Sequence, residues 1–298
     1  MRHLGKILVE PFFALFWGIL SASSLSGQTP AEVARYERLV AEYFDYYERG
    51  VNDSAELALR QALLLLPEHR ANFLLRANLA ELVVSRRDTL GAVSLLSEAL
   101  AEQPDMEEIR SRRAELFEKS GKSNEALADL EALLAKRPDN EVYRYRRALV
   151  LLSERLWNGA AAELELIVKN NPQGYLPRVT LAAADFERGL ELEAEKTLTG
   201  LRDAYPDLHI AARVLTGIYL RQGRRSAALE TIRKVINEGR VVTAEDYLAR
   251  AVVWLALDEE EEAAEDFATA KEKGASDELI ERYRRSQETI WNTILIRS

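Results

Sequence analysis

Two consecutive segments of equal length decide the fold: EEIRSRRAELFEKSGKSNEALADLEALLAKRPDN at 107–140 and EVYRYRRALVLLSERLWNGAAAELELIVKNNPQG at 141–174. Aligned without gaps, they share Arg at the fourth position, Ala at the eighth and twentieth, and Pro at the thirty-second. Both carry apolar residues at steps of three and four, the period of an amphipathic helix. A repeat of this length predicts a chain built from copies of one small helical unit.

The same period extends in both directions from this stretch. Three interleaved series recur, mostly at the interval that separates the two segments: Pro67, Pro104, Pro138, Pro172 and Pro206; Ala55, Ala92, Ala126, Ala160, Ala194, Ala228 and Ala263; and Ala80, Ala114, Ala148, Ala182, Thr216 and Ala251. Proline ends a helix because it lacks an N–H and disfavours a helical residue before it. The small residues are expected where two antiparallel helices approach closely. Turn formers lie between the two helices of a unit: Gly50, Gly121, Gly189, Gly223, Asp258 and the pair Asn158-Gly159.

The pattern resembles the tetratricopeptide repeat, a helix–turn–helix unit of about 34 residues with small residues at positions 8 and 20, a large residue at 24 and Pro at 32. The resemblance implies an all-α fold, a right-handed α-solenoid of about seven repeats with a C-terminal capping helix. We assign the repeats to 36–69, 73–106, 107–140, 141–174, 175–208, 209–243 and 244–277. A short segment at 28–35 precedes them, and the capping helix occupies 278–298. Trp291 and Ile294 could instead make this helix a docking surface.

Residues 1–27 have the layout of a secretory signal peptide. Arg2 and Lys6 precede an apolar run at 7–20, and small polar residues follow it. The run is shorter than the ~20 residues that a membrane-spanning helix needs. We therefore expect an exported protein, periplasmic or secreted, with its mature N-terminus between Ser24 and Gln28. An uncleaved leader would anchor it in a membrane.

Composition excludes several classes of function. The chain has no Cys, which excludes disulfides and thiolate metal sites, and its net charge of −9 disfavours nucleic acid as the partner. The repeats leave no segment for a separate catalytic domain, and we find no motif for a metal or a cofactor. His69 and His209 lie at junctions between repeats and are expected on the surface. The sequence thus favours a non-catalytic scaffold or adaptor. An unrecognised envelope enzyme, or a regulatory subunit of one, with its chemistry on the groove is the alternative.

The resemblance also implies where a ligand would bind. The first helix of each repeat lines a concave groove, and the matching positions include Asn78, Arg112, Tyr145, Arg146, Phe186, Arg213 and Arg221. The expected ligand is a segment of another protein or a peptide.

Two groove arginines differ in their helical neighbours. Arg112 has Glu108 and Glu115 within one turn, whereas the residues three and four positions from Arg146 are uncharged. A guanidinium without such a neighbour can bind a carboxylate through two parallel hydrogen bonds. The groove around Tyr145 and Arg146 is therefore predicted to bind an acidic or C-terminal peptide segment.

Arginine recurs at the fourth position of four consecutive repeats, as Arg76, Arg110, Arg144 and Arg178. Asp105 and Asp139 each precede one of these arginines by five residues and could pair with it. The sequence does not decide whether the series is a structural ladder between repeats or part of a binding surface.

Overall fold

A computed structural model of the chain describes residues 29–285, and every regular element in that range is an α-helix. The chain divides after Pro138 into two compact units. The predicted leader, Trp291 and Ile294 lie outside the described residues. None of the helices between residues 29 and 285 has both the length and the apolar character needed to cross a bilayer.

Six helices lie in the described part of the first unit, residues 29–138. They are α1 (Pro30–Glu48), α2 (Asn52–Leu65), α3 (Asn72–Ser85), α4 (Thr89–Glu102), α5 (Glu107–Lys119) and α6 (Ser123–Lys136). Each helix from α1 to α5 packs against the one that follows it. Helix α1 begins inside the segment predicted to precede the repeats, where Thr29 and Glu32 form a reciprocal cap.

The second unit contains nine helices in its described part. They are α7 (Glu141–Ser153), α8 (Trp157–Asn170), α9 (Tyr175–Glu187), α10 (Glu191–Ala204), α11 (Ile210–Arg221), α12 (Arg225–Glu238), α13 (Ala244–Ala256), α14 (Glu260–Glu272) and α15 (Asp277–Arg285). Helices α7 to α14 again pack each against the next, and α15 covers both α13 and α14.

The small-residue series lie where the helices pack. Both alanine series, with Thr216 among them, are at most 2% exposed. A larger side chain at these positions would separate the paired helices. The prediction of an all-α helical repeat is therefore confirmed, and it rests on the residues that the sequence pattern singled out.

The turn between the two helices of a repeat occurs at a position set by the repeat, even where the local sequence favours a turn elsewhere. Gly50, Gly121, Gly189 and Gly223 have positive φ, and so do Arg87, Arg155 and Asp258. Positive φ is easy for Gly but unusual for Arg. The turn predicted at Asn158-Gly159 is wrong, because both residues lie in the first turn of α8. Arg155 makes that turn, and it stands one full repeat after Gly121 and one full repeat before Gly189.

Candidate functional site

The first helices of the second unit present an accessible apolar face. Val142 on α7 and Leu176 on α9 hold the same position in successive repeats, and they are 66% and 38% exposed. Tyr145 lies half-buried one turn after Val142. The Thr180 hydroxyl donates to the carbonyl oxygen of Leu176 at 2.9 Å, so the Tyr145 hydroxyl, also 2.9 Å away, donates to Thr180. These bonds fix the orientation of the Tyr145 ring, and burial raises the pKa of its hydroxyl.

In the first unit, the predicted groove residues are engaged within the chain. Arg112 donates two bonds of 2.7 Å to the Glu81 carboxylate and a third of 2.7 Å to Glu115. Burial opposes the charged form of Arg112, but these acceptors raise its pKa above the ordinary value. Glu115 was expected as a partner, whereas Glu81, from the preceding repeat, takes the place predicted for Glu108. Asn78 is buried, and its Oδ1 has no hydrogen-bond partner among the described residues.

The predicted groove residues of the second unit are also occupied. Arg146 is half-buried and interacts within the chain, so the expectation of an available guanidinium is not met. The structure brings Phe186 and Arg221 together: the Arg221 guanidinium lies 5.7 Å from the centre of the buried Phe186 ring. Arg221 also donates to Glu187 at 2.6 Å.

Arg213 belongs to a buried polar cluster around Asp246. The Asp246 carboxylate, which is fully buried, accepts from Arg213 at 2.9 Å and from the backbone N–H and the hydroxyl of Thr243. His209 Nδ1 is 2.7 Å from the same carboxylate, and its Nε2, buried against Gly239, has no hydrogen-bond partner within residues 29–285. A buried carboxylate needs several hydrogen-bond donors. Asp246 has four when His209 Nδ1 is counted with Arg213 and the two groups of Thr243.

The expectation that both junction histidines are exposed is wrong. His209 and His69 are 6% and 3% exposed. The His69 ring stacks on Tyr36 at 4.5 Å, and its Nδ1 accepts the N–H of Ala71 at 3.2 Å. Burial, with the charge of Arg70, lowers the pKa of His69. The His69 ring packs against Tyr36 of the earlier helix α1, and His209 packs against Asp246 of the later helix α13.

Three of the four ladder arginines form ion pairs. Arg76 pairs with Glu98 and Glu102, Arg110 with Asp129, and Arg144 with Glu163. Each pair joins the two helices of one repeat, so the ladder does not run between repeats. Asp105, expected to pair with Arg110, instead accepts a bond from Lys136.

Sequence reasoning missed a set of buried acids that form ion pairs with arginines on the first helices. Asp129 and Glu163 are buried, and so is Asp266, which accepts two bonds from Arg250. Arg113, Arg147 and Arg250 each precede their acid by 16 residues. That spacing, repeated three times, is the signal that could have revealed the pairing.

Two carboxyls in the described range have raised pKa values. Burial raises the pKa values of Glu102 and Asp185, but these carboxyls lie in different units and each is near an Arg. A cleft of about 420 Å³ between α10 and α12 is lined by both charge signs, including Arg202, Asp203 and Lys234. Within residues 29–285, no three His, Asp or Glu side chains are grouped as a metal site.

Known proteins share this architecture. A sequence model of the tetratricopeptide-repeat family matches residues 83–150. The crystal structure of a tetratricopeptide repeat protein from Parabacteroides merdae ATCC 43184 is similar over 85% of this chain and 99% of that chain, with a TM-score of 0.71 and 26% identity. Comparison with curated protein sequences gives no significant match.

Two further solved structures resemble the chain in fold alone. PilW, a widely conserved type IV pilus biogenesis factor, matches with a TM-score of 0.51 and 19% identity, over 69% of this chain and 96% of that chain. MamA matches with a TM-score of 0.51 and 16% identity, over 58% of this chain and 93% of that chain.

Proposed function

We propose that this chain, which is similar to tetratricopeptide-repeat proteins in fold and in the sequence of residues 83–150, is a non-catalytic scaffold or adaptor of a bacterial-type cell envelope. Its ligand is a segment of another protein or a peptide, held on the first helices of the repeats. The observation that carries this proposal is the accessible face formed by Val142, Tyr145 and Leu176.

The composition of this face indicates what it binds. Covering an exposed Val or Leu side chain contributes about 1.5–3 kcal/mol. Tyr145 is already oriented by Thr180, so little side-chain entropy is lost when a ligand packs against its ring. Because Arg112, Arg213 and Arg221 are paired with carboxylates, we assign the main role in this face to apolar contacts.

The envelope location is supported by the leader alone. The basic start, the short apolar run and the small polar residues that follow are typical of secretory signal peptides. The mature protein would then meet its partner outside the cytoplasm.

Site-specific photocrosslinking in the native cells tests the proposal. A photoreactive amino acid replaces Val142 in one variant and Leu192 in another. The two positions are well matched: each is exposed, each is the second residue of its helix, and each follows a Glu. We expect one defined protein adduct from position 142 and none of the same mass from position 192. Equal adducts from both positions, or none from 142, would exclude this face as the binding site.

A further inference from the structure

Arg178 differs from the other members of its series. The three preceding arginines reach carboxylates on the second helix of the same repeat, namely Glu98 and Glu102, Asp129, and Glu163. The residues at the corresponding distances from Arg178 are Thr197, Gly200 and Ala204 on α10. The repeat therefore keeps the arginine and lacks every acid that would pair with it.

No other acid in the described chain replaces the missing one. The Arg178 side chain is half-buried and takes part in no ion pair or hydrogen bond among residues 29–285. Its neighbours three and four positions away on the helix are Gly174, Tyr175, Leu181 and Ala182, all uncharged. Asp203, the acid next to Ala204, is bound to Arg202 at 2.9 Å, and that hydrogen bond lowers its pKa.

The surface of α10 is open at the positions where the three preceding repeats hold their acids. Gly200 is exposed, and a methyl group built on its Cα would meet no atom within 4 Å. Thr197 and Ala204, one turn before and after it, are also small. Where other repeats hold a buried Asp or Glu, this repeat has space for a side chain that comes from outside.

An aromatic residue with aromatic and apolar neighbours lies on the same helix as Arg178. Tyr175 lies one helical turn before Arg178, and its ring meets Tyr205 edge-on at 5.3 Å. The Tyr175 hydroxyl accepts the N–H of Ala211 at 2.9 Å and donates to the carbonyl oxygen of Leu208, so the ring is fixed. The Leu208 side chain is 47% exposed. An Arg without a carboxylate partner in the described chain, on the same helix as a fixed Tyr, suits one carboxylate on an apolar protein surface.

We propose that Arg178 is a docking point for an Asp or Glu side chain of a partner protein. The incoming carboxylate enters above Thr197 and Gly200 and completes, between two molecules, the ion pair that other repeats make internally. Arg and Tyr are the residue types that most often dominate interface energies. The surface faces the second helix of its own repeat and is separate from the Val142 face.

A variant with an acid at position 197 tests directly whether a carboxylate there can pair with Arg178. Thr197→Glu is compared with Thr197→Gln, each with and without Arg178→Gln, in the purified full-length chain. If the geometry of the other repeats holds, Thr197→Glu raises Tm by about 1–3 °C over Thr197→Gln, and Arg178→Gln abolishes the difference. An equal Tm for the two Thr197 variants would overturn the proposal, because Arg178 would then not face this position.

Crosslinking from exposed Lys196 tests the partner. With a photoreactive residue there, we expect a protein adduct whose crosslinked partner peptide contains Asp or Glu. The adduct should disappear in Arg178→Gln and in Thr197→Glu, and persist in Arg155→Gln, which removes an exposed Arg elsewhere in the same unit. An adduct that survives Arg178→Gln, or no adduct at all, would overturn the proposal. So would stabilisation by sulfate that depends on Arg178 in the absence of an adduct, since the site would then serve a small anion.

Discussion

At the scale of single residues, the buried acids of the second helices stabilise the repeats most directly. Asp129 is 2% exposed and accepts bonds of 2.8 and 2.7 Å from Arg113 and one of 3.2 Å from Arg110. Removing a buried acid leaves its cationic partners desolvated and unpaired. The two arginines are about one-fifth exposed, so solvent reduces part of this penalty.

We therefore predict that Asp129→Ala lowers the free energy of unfolding by about 2–4 kcal/mol, measured by urea denaturation. Asp105→Ala is the matched control, because Asp105 is also paired with a cation but its side chain is 90% exposed. The control should unfold as the wild type does. Equal losses in the two variants would show that burial of the acid is not what matters.

The lowered pKa of Glu115 implies that the stability of the fold depends on pH in a definite direction. Burial raises the pKa of its carboxyl, but hydrogen bonds from Lys119 and Arg112 outweigh burial and lower it below the ordinary 4.5. A carboxyl whose pKa is lower in the folded state stabilises the fold above its unfolded pKa and loses that contribution as the pH falls through the folded pKa. Glu115→Gln should thus be less stable than the wild type at pH 7, with the difference shrinking below about pH 4. A difference that does not change with pH would contradict this assignment.

Sequence reasoning found the residues that repeat and missed the pairs that join different segments. Glu115, three residues from Arg112, was predictable from helical spacing, whereas Glu81 is 31 residues away. The prediction that His69 and His209 are exposed was wrong because a junction looks like a loop in sequence, while in the structure a neighbouring helix packs against each ring. From sequence alone, Arg178 was one more arginine of the series. It differed from the others only once their ion pairs with the second helices were known.

At the scale of helices, the alanine positions set the distance between paired helices. Ala126 on α6 and Ala114 on α5 are both fully buried. Leu at position 126 has no room without separating the pair, so Ala126→Leu should cost about 1–3 kcal/mol. Ala128→Leu is the control, because Ala128 is exposed on the same helix. Thermal unfolding checks the prediction, and similar Tm values for Ala126→Leu and the wild type would count against the helix register.

The helices themselves were predictable because several independent sequence patterns share the same period. Proline, small residues and apolar spacing all give the same register, so local exceptions such as Arg155 do not shift it. The local signal Asn158-Gly159 failed for the same reason: packing along a whole helix outweighs the preference of two residues for a turn. What a period cannot predict is which face of a helix remains uncovered, since that depends on side chains from several repeats.

At the scale of the whole molecule, the proposed role requires export. We expect N-terminal sequencing of the protein from its native cells to give a start between Ser24 and Gln28. The basis is the composition of residues 1–27, in which a short apolar run precedes small residues suited to signal peptidase. Membrane-bound protein with an intact Met1 would contradict cleavage and indicate an anchored scaffold.

The affinity of a purified partner, identified by crosslinking from position 142, tests the central claim most directly. Each of the two variants Val142→Glu and Leu192→Glu places a negative charge at the second position of a helix. A carboxylate there interacts favourably with the positive end of the helix dipole, so neither variant should disturb folding. If the first helices bind the partner through their apolar face, Val142→Glu raises Kd at least about tenfold, a loss of about 1.4 kcal/mol, and Leu192→Glu leaves it unchanged. A Kd for Val142→Glu equal to that of the wild type would contradict the account.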